Sequence, residues 1–166
     1  IIIRRCEEYM TPFTDIYDLA KITIIDYKID ALIQADYNAF LTYFRSLLTV
    51  GIPEFSGCLD SLEYTSVMET NDNGEQEVVW YFVRDLDIYE KSILAKTIVL
   101  KWWDVQTQDV IAFQPHLSSK NFKQLQESQS LKQKLEYKGA LQEDISESIT
   151  AYQLNNFSKL PFFGGA

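Results

Sequence analysis

The chain has 166 residues, 46% of them hydrophobic and 14% aromatic, which is enough for one domain with a sizeable core and excludes disorder. The formal net charge is −9 and is unevenly spread: residues 1–90 carry 6 basic and 17 acidic groups, residues 91–166 carry 9 and 7. Such a chain does not clamp nucleic-acid phosphates through counterion release. The acidity suits solubility, and equally a passage that DNA must traverse without sticking. Cys6 and Cys58 are too few for a disulfide scaffold and lack ligand spacing, so they read as small buried hydrophobes in a reducing compartment. No apolar run approaches the ~18 residues of a membrane span. The opening "IIIRR" is too short for a signal peptide, and its charges follow the apolar run instead of preceding it.

In chain order, "TDIYDLAKITIIDYKIDALI" (14–33) predicts a short helix, capped by Thr14 or Asp15, and then a bend into an Ile-rich stretch. "ADYNAFLTYFRSLLTVGIP" (35–53) is clearer. Tyr37, Phe40, Leu41, Phe44, Leu47 and Leu48 form one apolar stripe at helical spacing, with Asp36 as N-cap and Gly51 and Pro53 as the stop. In residues 61–83 the period changes to alternation. Leu62, Tyr64 and Met68 share a strand face, "VVWYFV" is β-branched and aromatic, and Asn73-Gly74 between them signals a type I′ hairpin. A lone hairpin is marginal in water, so this one needs a helix or a neighbouring subunit to pack on.

"LDIYEKSILAKTIVLKWWDVQ" (86–106) predicts the central helix. Its Ile88, Ile93, Leu94, Ile98, Leu100 and Trp102 cover more than one face, and Asp87 with Glu90 forms a capping box. Residues 111–122 read as a connection broken at Pro115, with Ser118 or Ser119 as the next cap. A long polar helix follows over 121–152. Leu131, Leu135, Ile145, Ile149 and Tyr152 form its thin seam, Lys138 and Gln142 are polar mid-seam positions, and Gly139-Ala140 permits a bend or close approach. Leu160, Pro161, Phe162 and Phe163 form an apolar tail outside any helix. The expected fold is therefore mainly α: one domain over 1–166, a bundle of three to four helices with a β-hairpin insertion at 61–83 and an extended C-terminal tail at 155–166.

The long helix has a reversed charge order. Five lysines and two glutamates lie between Lys120 and Lys138, whereas Glu143, Asp144 and Glu147 follow. The helix dipole prefers the opposite arrangement, at a few tenths of a kcal/mol per exposed charge. Either the order is incidental, or the charges match a partner. In a head-to-tail ring, Lys132 and Lys134 on one subunit face acidic groups on the next, with Glu143 and Asp144 at the other pole.

Catalytic signals are absent from the sequence. It contains no GxGxxG, Walker loop, GxSxG or HExxH, and its single histidine, His116, sits beside Pro115 without motif partners. Glu143 and Asp144 are adjacent and project about 100° apart on a helix. An enzyme would need carboxylates such as Glu143, Asp144 or Asp104 brought together by the fold. No catalytic group, cofactor or metal is expected.

The succession "KITIIDYKIDALI", "GIPEFSGCLDSL", "EKSILAKTIVLKWWDVQ" and "NFKQLQESQSLKQKLEYKGALQEDISESITAYQLNNF" resembles the head-to-tail connector (adaptor, neck) proteins of tailed bacteriophages. The resemblance covers roughly 14–157, with Phe55, Cys58, Trp102 and Phe122 as its most specific points. It implies a non-enzymatic virion protein made in the bacterial host cytoplasm, without membrane contact. It also implies a homo-oligomeric ring of about a dozen copies that joins the portal protein to tail or stopper proteins. Genomic DNA passes through such a ring without specific binding. By the same resemblance, Leu160, Pro161, Phe162 and Phe163 dock on the portal, and the loop Asn71, Asp72, Asn73, Gly74 faces the lumen or a neighbouring ring. The competing expectations are a tail-completion or stopper protein of the neck and, from a different class, a non-viral cytosolic helical binding module. The latter would be a monomer or dimer.

Overall fold

The computed structural model describes residues 10–24, 27–71, 73–113 and 121–156, the side chains of 27–28 and 109–130 excepted. It is mainly helical, with a small antiparallel sheet. In chain order the elements are β1 (Thr11–Pro12), α1 (Phe13–Thr23), α2 (Tyr27–Ala35), α3 (Tyr37–Gly51), a 3₁₀ turn (Ile52–Phe55), β2 (Tyr64–Thr70), β3 (Gln76–Phe82), α4 (Ile88–Phe113) and α5 (Asn121–Asn155).

Helix α1 starts at Pro12, whose ring fixes φ at −68°, so neither Thr14 nor Asp15 is the cap. Asp15 lies in the first turn, where its charge suits the dipole, and it reaches Lys91 of α4 at 3.2 Å. The start of α3 is as expected: the Asp36 carboxylate accepts from the Ala39 N–H at 2.9 Å. Phe40, Phe44, Leu47 and Leu48 are buried, while Tyr37 at the outer end of the stripe is exposed. Gly51 has a packing role as well as a terminating one. A Cβ there would stand 2.8 Å from Thr97 Oγ1, so the missing side chain lets the end of α3 lie directly on α4.

Helix α4 is the centre of the molecule and packs against α1, α3, α5 and the 3₁₀ turn. Ile93, Leu94, Ile98, Val99, Leu100 and Trp102 are buried, as an all-round apolar helix should be, whereas Ile88 in its first turn is exposed. Its capping box closes in both directions: Asp87 N–H donates to Glu90 Oε2 at 3.0 Å and Glu90 N–H to Asp87 Oδ1 at 2.8 Å.

The hairpin forms, and it gains a third strand that the sequence pattern did not suggest. The order is β1-β3-β2, with Thr11 opposite Phe82 and Pro12 opposite Tyr81. Two residues of extended chain escape any periodicity test. The turn also differs from type I′, which requires positive φ at both central residues. Among the described residues only Gly74 has positive φ (81°), and Asn73 before it does not. Asn71 N–H donates to Glu75 C=O, Gly74 N–H donates to Asn71 C=O, and the Asn71 side chain accepts from the N–H groups of Asn73 and Glu75. This is a three-residue loop with glycine at its left-handed position. The base of the hairpin packs on α1, where the Phe82 ring lies 4.7 Å and the Tyr64 ring 5.5 Å from Phe13.

On α5 the C-terminal part of the expected seam, Ile145, Ile149 and Tyr152, packs on the core, while Leu141 takes the place of Gln142. Leu141, Ile145 and Tyr152 are buried, Leu135 and Gln142 are exposed, and nothing lies within 4 Å of a Cβ built on Gly139. Among the described residues the helix engages the body mainly through its C-terminal half, so Leu135 contributes no core and Gly139 no close approach.

Candidate functional site

Two features stand out: a buried polar cluster under the base of the hairpin, and a cleft along the hairpin's outer half.

The cluster is built on Glu90, which lies on the same face of α4 as Ile93 and Leu94 and is 1% exposed. An unpartnered carboxylate there would be costly. Arg84, just past β3, meets it bidentately, Nη1 to Oε2 at 2.8 Å and Nη2 to Oε1 at 2.7 Å. Tyr152 near the end of α5 donates its hydroxyl to Oε1 at 2.7 Å and accepts from the Leu59 N–H at 3.4 Å. The Cys58 thiol lies 3.6 Å from Oε1, and Arg84 Nε donates to the Ser61 carbonyl at 2.7 Å. One carboxylate thus joins α4, α5, the exit from β3 and the connection into β2.

The protonation states follow from these contacts. Burial pushes Glu90 up, but the hydrogen bonds from Arg84, Tyr152 and the Asp87 N–H, with the Arg84 charge, outweigh it and hold the carboxyl below its usual range. Burial pushes the Cys58 thiol up, and burial with the Glu90 hydrogen bond pushes Tyr152 up. Arg84 is raised by its hydrogen bonds to Glu90. A raised thiol is the reverse of an activated nucleophile, and a carboxylate lowered by a bidentate arginine is a weak base. The cluster clamps elements together.

The cleft lies between β3, α1 and α3 and has a volume of about 590 Å³. Its walls include Phe13, Tyr17, Tyr37, Leu41, Arg45 and Trp80. Arg45 sits over the Trp80 ring at 5.1 Å, and the Trp80 indole N–H is buried without a partner among the described residues. The hairpin also exposes apolar side chains on this face, with Val78 in the cleft wall at 52% and Met68 beside it at 59%. On the other sheet face Glu69 stands directly opposite Glu77, and Tyr81 donates its hydroxyl to Glu69.

The residues singled out in the sequence fall in different places. Lys132 pairs with Glu136 on α5 at 3.8 Å, Lys134 is half-buried and Glu143 is exposed. Asp144 meets Lys96 at 2.8 Å and Lys138 meets Asp104 at 2.6 Å. Two charges of the reversed order, Lys138 and Asp144, therefore have their complements inside the chain, on α4. Asp104 and Asp144 point into ion pairs with different lysines, and among the described residues no three His, Cys, Asp or Glu groups come together to hold a metal ion. Asn71 organises the hairpin loop, with Asn73 and Gly74 in it. Asp72, His116, Cys6 and the tail Leu160, Pro161, Phe162 and Phe163 lie outside the described residues.

Sequence reasoning read Glu90 only as half of a cap. A carboxylate three and four residues before Ile93 and Leu94 was the available signal for its burial. Tyr152 was read only as a seam residue, and nothing local marked it or Arg84 as a partner of Glu90, which they reach from sequence separations of 62 and 6. No described helix is long and apolar enough to cross a membrane. The chain matches no protein-family model, no curated protein and no solved structure.

Proposed function

We propose that the protein is a structural assembly subunit, and that its assembly is the ring connecting a phage portal to the tail. The observation that supports an assembly role is the hairpin. Its two long strands leave Met68 and Val78 exposed on one sheet face and Val67 on the other, beyond the base that packs on α1. Exposed apolar side chains on a sheet favour a protein surface over solvent. The choice of a phage neck rests on the resemblance in order and spacing of the elements. In a ring of about a dozen copies the acidity of each subunit accumulates around the lumen and keeps DNA from adhering. A stopper or tail-completion role uses the same features.

Native mass spectrometry or electron microscopy of the full chain, alone and mixed with isolated portal rings, tests the proposal. Closed rings, alone or on the portal, are expected. Reversing Lys132 and Lys134 to glutamate is expected to weaken them, because both lie on the outer half of α5. A chain that stays monomeric with and without portal overturns the connector reading and favours the helical binding module.

A further inference from the structure

The cleft beside β3 holds donors that nothing among the described residues answers. Tyr17 of α1 is 3% exposed and stands in the cleft wall, yet no described group bonds its hydroxyl. A buried hydroxyl without a partner is costly and calls for an acceptor from outside the packed body. Burial raises this phenol and the Arg45 charge lowers it, so the guanidinium lies close enough to act on the same oxygen. Arg45 of α3 faces the Trp80 ring at 5.1 Å, and no described carboxylate pairs with it. A ring face attracts the charge but offers no oxygen to its N–H donors. The Trp80 indole N–H, buried in the same wall, also lacks an acceptor among the described residues.

Much of the remaining wall is apolar or aromatic, with Phe13, Tyr37, Leu41 and Val78 in it. A volume of about 590 Å³ is that of a small-molecule pocket. The carboxylates of the cleft are Glu77 and Glu69, which stand directly opposite each other in the hairpin. Glu77 precedes Trp80 on β3 by three residues, about 10 Å along the strand. A negative group beside Arg45 is therefore attracted, whereas one placed beside Glu77 is repelled.

We propose that the cleft binds a small aromatic monocarboxylate. Its carboxylate accepts from the Arg45 guanidinium and the Tyr17 hydroxyl, and its ring packs between Tyr37, Leu41 and Val78. Charge-assisted bonds to Arg45 fix the carboxylate, and the aromatic wall favours a rigid ring over a flexible chain. Glu77 and Glu69 select against a dicarboxylate of similar shape. The site is built within one chain, so it goes beyond the connector reading and does not rest on it.

Calorimetric titration of the full chain with naphthylacetate tests this. Saturable binding is expected. Naphthylacetamide, of the same shape without the charge, is expected to bind at least about tenfold more weakly. Naphthylsuccinate, which adds a second carboxylate, is expected to bind more weakly than naphthylacetate. Arg45→Met keeps an apolar stem over Trp80, removes the charge and is expected to weaken naphthylacetate at least about tenfold. Tyr17→Phe keeps the buried ring, removes the hydroxyl and is expected to weaken it roughly fivefold. Leu41→Trp, at a half-buried wall position, is expected to fill the place of the ring and abolish binding. Circular dichroism checks that each variant keeps the helical signal. No saturable binding to wild type, equal binding of acid and amide, or binding unchanged in both Arg45→Met and Leu41→Trp overturns the proposal. Binding that appears only after Leu160→Asp with Phe162→Asp assigns the cleft to the chain's own tail and overturns it too. Portal mixing decides the connector reading separately.

Discussion

Replacing Glu90 with glutamine tests whether the polar cluster holds α5 to the body. The amide preserves shape but replaces one acceptor oxygen with a donor. Four donors converge on the carboxylate: two from Arg84, the Tyr152 hydroxyl and the Asp87 N–H. Two of them lose an acceptor, and Arg84 loses its counter-charge. Breaking a buried pair by removing one partner costs about 3–5 kcal/mol. The Arg84 side chain is 27% exposed and regains some water, which places the loss near the lower end, about 3 kcal/mol. At a urea slope of about 2 kcal/mol/M the midpoint falls by roughly 1.5 M. Urea denaturation followed by circular dichroism measures this. Arg84→Met combined with Glu90→Leu removes both charges and is expected to recover part of the loss. A midpoint within 0.2 M (about 0.4 kcal/mol) of wild type for Glu90→Gln refutes the clamp.

The same cluster sets an acid response. The folded state holds Glu90 below its usual range, so its contribution is complete above the ordinary carboxylate pKa of about 4.3 and is lost as pH falls through the lower folded value. The stability gap between wild type and Glu90→Gln is therefore expected to narrow below about pH 4 in matched urea titrations. Asp36→Ala removes the α3 cap and is expected to cost about 1 kcal/mol in the same assay. Gly57→Ala places a Cβ 2.6 Å from Ile149 Cγ2 and 2.7 Å from Gln153 Nε2, and overpacking of that kind costs about 1–3 kcal/mol. Since it wedges α5 outward, Tyr152 fluorescence and protease sensitivity near residue 150 are expected to change with it.

Where the sequence was informative, the reason is local. The α3 cap at Asp36, its stop at Gly51 and Pro53, the Asp87–Glu90 capping box and the alternating arms of the hairpin each depend on residues a few positions apart, so one dimension suffices to read them. The central role of α4 was legible because an all-round apolar helix has only one place to go. The tertiary structure alone decided the rest, because those features join residues distant in the chain. Thr11 and Pro12 become a strand only because Phe82 and Tyr81 lie beside them. Glu90 becomes a clamp only when Arg84 and Tyr152 arrive. Two of the reversed charges of α5, Lys138 and Asp144, look misplaced on an isolated helix and are matched once α4 brings Asp104 to Lys138 and Lys96 to Asp144. The sheet edge is the clearest case: periodicity assigns side chains to faces, but the early turn of the chain at Pro12 into α1 decides that β1 pairs with only the end of β3 among the described residues.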